Sequence, residues 1–166
     1  MKKMDQVPNT EIIKPKILYY GTPVILLNSL NEDGTVNISP LSSSWALGDC
    51  IILGIGLGGK AIENLERHPE CVINVPSPSL WENVEQLAPY TGKNPVPDYK
   101  KKNGFTYEKE KYDISRLTPT KSKSVKPTRI IEENHIDPNK WSPLIYNFRH
   151  YFGLGNQLGK TFRSEL

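Results

Sequence analysis

Cysteine is scarce in this chain: Cys50 and Cys71 are the two it has, with no Cys-x-x-Cys pair and no spacing that groups them with His68, His135 or His150. That excludes a disulfide-stapled scaffold and gives no readable metal site, so both thiols are expected to be reduced and buried. Long apolar runs are missing too. The longest, Ile51 to Leu57, is interrupted by Gly54 and Gly56 and falls well short of the roughly 20 residues a membrane-spanning helix needs. The basic start, Met1-Lys2-Lys3, is followed by no apolar stretch of the secretory kind. A soluble cytoplasmic protein without a membrane partner is expected. A large charge excess is also absent, since 21 basic residues face 18 acidic ones for a net charge of +3. The basic clusters Lys100 to Lys102 and Lys121, Lys123, Lys126, Arg129 sit among Ser, Thr and Pro with few aromatics between them. They read as solvated loop, and no nucleic-acid partner is expected. Finally there is no Gly-x-Ser-x-Gly elbow, and no histidine has an acidic neighbour placed to orient it, which argues against a serine hydrolase.

What is present is enough for one globular domain over residues 1–166, because 37% hydrophobic and 23% charged residues in 166 support a real core. Fourteen prolines and twelve glycines predict many turns. The β-branched run Pro23 to Leu30, the turn Asn31-Glu32-Asp33-Gly34 and the run Thr35 to Ser39 predict a β-hairpin. Cys50 to Leu57 and Cys71 to Val75 read as further strands, the second ending at Pro76. Lys60 to His68, with Ile62 and Leu65 on one face and Pro69 after it, predicts a short helix. Ser79-Leu80-Trp81-Glu82 has the form of a capping box ahead of a second helix through Val84, Leu87 and Ala88. Ala88 to Thr128 is polar and proline-rich, an irregular excursion with short strands at most. In the tail, Pro143 followed by Leu144, Ile145, Phe148, Tyr151 and Phe152 at helical spacing predicts a last helix that stops at Gly153.

Two stretches carry chemistry. Gly54-Ile55-Gly56-Leu57-Gly58-Gly59 matches Gly-x-Gly-x-x-Gly literally, but no acidic residue closes the next strand to hold a ribose. It nearly spells a nucleotide-phosphate loop as well, with Lys60 in place but Ala61 where a hydroxyl belongs. A glycine-rich strand end turning into a helix explains the pattern better than either motif. The amides of Gly58 and Gly59, a helix N-terminus and Lys60 nevertheless make a phosphate seat. The second stretch, Asn37-Ile38-Ser39-Pro40-Leu41-Ser42-Ser43-Ser44-Trp45, gathers small polar groups directly after a strand; on its own it also reads as a serine-rich turn.

In order along the chain, Gly21-Thr22-Pro23-Val24, Asn37-x-Ser39-Pro40-x-Ser42-Ser43, Gly59-Lys60-x-x-x-Asn64-Leu65, Cys71-Val72-x-Asn74-x-Pro76 and Thr91-Gly92-Lys93-Asn94-Pro95 resemble the flavin reductase-like family of FMN-binding split barrels. The tail Trp141-x-Pro143-Leu144-Ile145 through Tyr151-Phe152-Gly153-Leu154-Gly155 resembles it too. The resemblance implies a mainly β fold, a split β-barrel with a few short flanking helices. It implies a homodimer that binds FMN at the subunit interface and exchanges hydride or electrons with NAD(P)H or a protein partner. With a flavin implied, the small polar groups of Asn37, Ser39, Ser42, Ser43 and Ser44 suit its ribityl chain and the polar edge of its ring, and Lys60 with the amides of Gly58 and Gly59 suits its phosphate. Pro40, Asn64 and Asn74 belong to the same matching motifs, and Trp45, which ends the polar stretch begun by Asn37, is counted among the candidate cofactor-binding residues. Thr91, Gly92 and Lys93 come near the same ligand, and Tyr151 and Phe152 cover the ring or close the dimer. No side chain is assigned as catalyst, because the flavin itself accepts the hydride. Family members carry further strands between a segment like Lys126 to Glu132 and one like His135-Ile136-Asp137-Pro138, whereas here only Glu133 and Asn134 intervene. The expectation is a shortened barrel, whose run Thr128-Arg129-Ile130-Ile131 pairs with the partner subunit. Two other readings remain at this stage: a dimeric module that binds flavin without turnover or has lost it, and a nucleic-acid binder.

Overall fold

The computed structural model describes residues 12, 14, 21–133, 142–156 and 158. The expected first hairpin is there, and its turn shows why. Gly34 takes a φ of +83°, which glycine adopts without steric cost. The Asp33 carboxylate accepts from the Thr35 amide at 3.1 Å and from its hydroxyl at 2.6 Å. After a two-residue strand β1 (Thr22–Pro23), strands β2 (Ile25–Leu30) and β3 (Val36–Leu41) pair antiparallel from Ile25 opposite Leu41 to Leu30 opposite Val36. A second hairpin follows, β4 (Ser44–Leu47) with β5 (Cys50–Leu53), and it pairs with no other described strand. Helix α1 (Lys60–Arg67) returns the chain to β6 (Cys71–Asn74), which lies on the other side of β2.

β2 is therefore the middle strand of a three-stranded sheet, and Leu26 and Leu27, on opposite faces, are both fully buried. That is why its sequence opens on three consecutive apolar residues, Ile25 to Leu27, rather than on an alternation. Its two polar residues find partners inside: the Asn28 side-chain NH2 donates to the Tyr112 hydroxyl at 2.9 Å and to the Thr128 carbonyl at 2.8 Å, and the Ser29 hydroxyl accepts from Asn64 at 3.1 Å.

A single turn of 3-10 helix (Pro78–Leu80) leads into α2 (Trp81–Leu87). The expected capping box does not form. The cap position falls on Leu80, with no side-chain cap bond, and the Ser79 hydroxyl instead pairs with that of Ser77 at 2.8 Å. The polar excursion then folds as β7 (Tyr90–Thr91), α3 (Asp98–Lys102), β8 (Thr106–Tyr107), α4 (Lys111–Ser115), β9 (Pro119–Thr120) and β10 (Arg129–Ile130). β7 and β8 run parallel. β10 pairs with β9 of its own chain, Ile130 is fully buried, and its amide donates to Asn74 Oδ1 at 3.0 Å. The expectation that this run pairs with a partner subunit is thus corrected: its hydrogen bonds are made at home.

The tail is a second correction. In place of a helix, β11 (Ile145–Asn147) and β12 (His150–Phe152) form a hairpin, and β11 also pairs with β1. Both turn residues are left-handed, Phe148 at φ +45° and Arg149 at φ +67°, the backbone that matches the twist of a two-residue hairpin. The same apolar residues satisfy helical spacing on paper, but aromatic and β-branched residues suit a strand. Flanking backbone bonds, Val24 amide to Leu144 carbonyl at 2.8 Å and Leu144 amide to Pro76 carbonyl at 3.0 Å, hold the extended form. Trp141 and the segment His135 to Pro138 lie outside the described residues.

The core joins these pieces: Val24, Leu26, Ile38, Val84, Leu87, Leu117, Ile130 and Leu144 form one buried cluster. Each such side chain contributes about 1.5–3 kcal/mol by leaving water. The thiols depart from expectation, since Cys50 is exposed and Cys71 half-buried; burial nevertheless pushes the Cys71 thiol up. No described helix is long and apolar enough to cross a membrane.

Candidate functional site

A cleft of about 660 Å³ opens between β3, the loop after β5, the start of α1, α2 and the excursion from β7 to α4. Its size lies within the roughly 300–1,000 Å³ of ordinary cofactor and ligand sites. β3 supplies the floor. Asn37 is buried and its amide donates to the Ser39 hydroxyl at 2.9 Å. Gly92, in the bend that follows β7, presses against it so closely that a Cβ there would stand 2.2 Å from Asn37 Oδ1. Pro40 and Ser42 continue the same wall.

The glycine loop is held by its own bonds. Gly54 donates to the Ser43 carbonyl at 2.7 Å, and the Ser43 hydroxyl returns a bond to the Gly54 carbonyl at 2.6 Å. Gly59 donates its amide to the Gly56 carbonyl at 3.2 Å. Lys60, which enters the cleft at this edge, has its ammonium shared by two carboxylates, Glu32 at 2.8 and 2.9 Å and Glu63 at 2.7 Å. That ammonium holds the Glu32 carboxyl below its usual range. Lys93 pairs with Glu63 as well.

The inner end of the cleft is different in charge. Lys111, at the start of α4, is 2% exposed, and its ammonium lies 5.6 Å from the Tyr90 ring centroid, a cation–π contact. Burial pushes its pKa down to about 8; Glu108 acts against that shift and Lys100 adds to it. Lys100 donates to the Thr91 hydroxyl at 3.1 Å and stands 5.7 Å from the Phe105 ring centroid, and burial lowers it too. Across the cleft the Tyr151 hydroxyl donates to Glu85 at 2.9 Å. Burial, and then the Glu85 carboxylate, hold that phenol above its usual range.

Of the residues singled out by sequence, the cleft brings together Asn37, Ser39, Pro40, Ser42, Gly59, Lys60, Thr91, Gly92 and Tyr151. The others lie elsewhere. Ser43 is spent on the glycine loop, Gly58 stands beside the Tyr99 hydroxyl, and Ser44 and Trp45 lie on β4 with the indole exposed. Asn64 is buried under β2, donating to Ser29 and to Asn31 Oδ1 at 2.9 Å; Asn74 donates to the Leu26 carbonyl at 3.0 Å. Both asparagines serve the core. Phe152 lines a separate, mainly apolar groove with Trp81 and Pro78. Sequence reading missed Lys100, Lys111, Tyr90 and Glu85. Lys100 hid in a cluster that looks like solvated loop, and nothing in the pattern around Lys111 signals that it turns inward.

No protein-family model matches the chain. The uncharacterized protein YdfE of Bacillus subtilis (strain 168) is 55% identical over 205 aligned positions, covering 99% of each chain. Against the 166 residues here, at least 39 of those 205 positions have no counterpart in this chain. Among solved structures, flavoredoxin of Desulfovibrio vulgaris (Miyazaki F) superposes with a TM-score of 0.73 at 18% identity, over 94% of this chain and 99% of that one. An FMN-binding domain of a flavin reductases-like enzyme from Shewanella baltica gives 0.60 at 11% identity, over 84% and 89%. The fold is the flavin reductase-like split barrel.

Proposed function

From a chain that belongs to the same family as the B. subtilis protein YdfE and has the flavin reductase-like split-barrel fold, we propose an FMN-binding oxidoreductase that moves electrons from NAD(P)H to an acceptor. The observation that carries the reading is the cleft: a hydrogen-bonding floor, aromatic walls, the buried Lys111 and the half-buried Lys100, neither in an ion pair among the described residues, in one cavity of about 660 Å³. This donor set fits a flavin mononucleotide, which has a flat apolar ring, polar ring edges and an anionic end. Bound flavin supplies the hydride-accepting centre.

The chain's own residues bind and orient. Asn37, held against Gly92, and the hydroxyls of Ser39 and Ser42 offer hydrogen bonds along one wall. Tyr151, fixed by Glu85 and packed 5.7 Å from Tyr146, covers the opposite side and excludes water. Its raised phenol stays protonated at neutral pH and keeps its bond to Glu85.

A second copy of the chain completes this reading. On β4 and β5, Trp45, Leu47 and Ile52 share one face and are 57%, 70% and 46% exposed. Apolar surface of this kind is normally covered, and a two-fold partner does so most simply. The test is to purify the protein, reconstitute it with FMN and follow NADH and NADPH oxidation with the flavin's absorbance. Reduction of bound FMN by either nucleotide is expected. Tight FMN binding without any reduction would leave a flavin carrier, and no FMN binding would end the proposal.

A further inference from the structure

We propose that Lys111 and Lys100, at the inner end of the cleft, form the seat for a phosphate monoester; this rests on the flavin reading above and assigns the cofactor's anionic end away from Lys60. Lys60 is already neutralised. Its ammonium is shared by Glu32 and Glu63, both within 3 Å, and the Gly59 amide beside it is taken by the Gly56 carbonyl. An anion placed there would meet two carboxylates.

Lys111 stands in the opposite condition. It is 2% exposed yet lines the cleft, and among the described residues no carboxylate lies within ion-pair distance of it. The Tyr90 ring is its contact, and Glu108 and Lys100 are the charged groups near enough to influence it. A buried, unpaired ammonium is costly, and a second ammonium close by makes it costlier. Both penalties vanish when an anion sits between the two lysines.

The donors also suit phosphate. Lys100 spends one of its three protons on Thr91. The Thr91 hydroxyl oxygen accepts from Lys100 and from the Lys93 amide at 3.3 Å, so both lone pairs are used and its proton is left to donate. Lys111, Lys100 and Thr91 thus present ammonium and hydroxyl protons to an acceptor with three strong oxygens, as a phosphate monoester has.

The experiment is a set of fluorescence titrations with FMN and riboflavin on the wild type, Lys111→Met, Lys100→Gln and Lys60→Met. Inorganic phosphate serves as competitor, and NADPH and NADH are titrated in parallel. Wild type is expected to prefer FMN over riboflavin, and phosphate to compete with FMN alone. Lys111→Met and Lys100→Gln are each expected to lose about 10- to 100-fold in FMN affinity, the scale of a charge-assisted bond, with riboflavin affinity held. Loss confined to NADPH in these variants would assign the same seat to the reductant's phosphate instead of the flavin's. If wild type binds neither flavin, the flavin reading fails, and inorganic phosphate measured by calorimetry decides the seat by itself: binding lost in Lys111→Met supports it, no binding refutes it. Equal loss of FMN and riboflavin, or selective FMN loss in Lys60→Met alone, would overturn the proposal. Lys111→Arg, which keeps the charge, retains most of the FMN preference if the seat is electrostatic and guards against a folding artefact.

Discussion

Gly92→Ala is the sharpest perturbation of the cleft. The added Cβ would stand 2.2 Å from Asn37 Oδ1, 3.1 Å from Asn37 Cγ and 3.2 Å from Lys60 Cγ. Backbone strain does not enter, because the φ of Gly92 is not among the positive ones. The whole effect is therefore steric, and Asn37 must yield: it is 1% exposed, and its side chain gives up its bond to Ser39 when it turns. Overpacking of this kind costs about 1–3 kcal/mol, and in a chain of this size each kcal/mol lowers the melting temperature by about 2–4 °C. Flavin affinity falls with it, since Asn37 lines the cleft. The assay is thermal unfolding together with FMN titration, on Gly92→Ala, Asn37→Gly and the double variant. The double variant removes the two nearest clashing atoms, so its stability lies above the sum of the single losses by about 1 kcal/mol or more, the coupling of residues in contact. Additive losses would refute the reasoning, as would a Gly92→Ala protein that melts and binds like the wild type.

Three further outcomes are expected. Asn74→Ala removes the bonds that tie β6 to the Leu26 carbonyl and to the Ile130 amide; leaving these buried groups unpaired costs about 1–3 kcal/mol each, read as a lower urea midpoint. Lys111 holds its proton less tightly when folded, with a pKa of about 8 against 10.5 ordinarily. The unfolded chain therefore binds more protons over that interval, and stability of the ligand-free protein rises from pH 8 to about 10.5; the rise disappears in Lys111→Met, as denaturant titrations across that range report. Leu47→Lys puts a charge on the exposed face of the β4–β5 hairpin, leaving the fold intact and lowering the mass measured by light scattering from dimer to monomer.

How far the sequence reveals this molecule depends on whether a local pattern or a distant contact decides each element. The first hairpin is legible because Asp33 and Gly34 specify its turn within a few residues. α1 is legible because Pro69 and its apolar spacing act locally. The tail hairpin is not, since its apolar residues fit helix and strand alike, and pairing to β1 at the other end of the chain decides between them. The capping box fails for a related reason: a 3-10 turn at Pro78 takes the cap position away from Ser79. In the site, the β3 wall follows from the run Asn37 to Ser42, whose polar groups have nowhere else to go. Asn64 and Asn74 carry the same side chain as Asn37, yet their partners across β2 and β10 turn them into the core. Lys60 draws attention as the lysine after the glycines, but its neutralisation by Glu32 comes from across a turn that spacing does not show. The inward turn of Lys111 depends on how α4 packs against α2 and β3 and sets the ammonium over the Tyr90 ring, contacts no short pattern encodes.

The most direct test of the account is native mass spectrometry of the purified protein titrated with FMN. One FMN per chain on a dimer, retained by Lys60→Met and largely lost by Lys111→Met, is the expected result. A wild-type protein that stays free of flavin in the presence of excess FMN would contradict it.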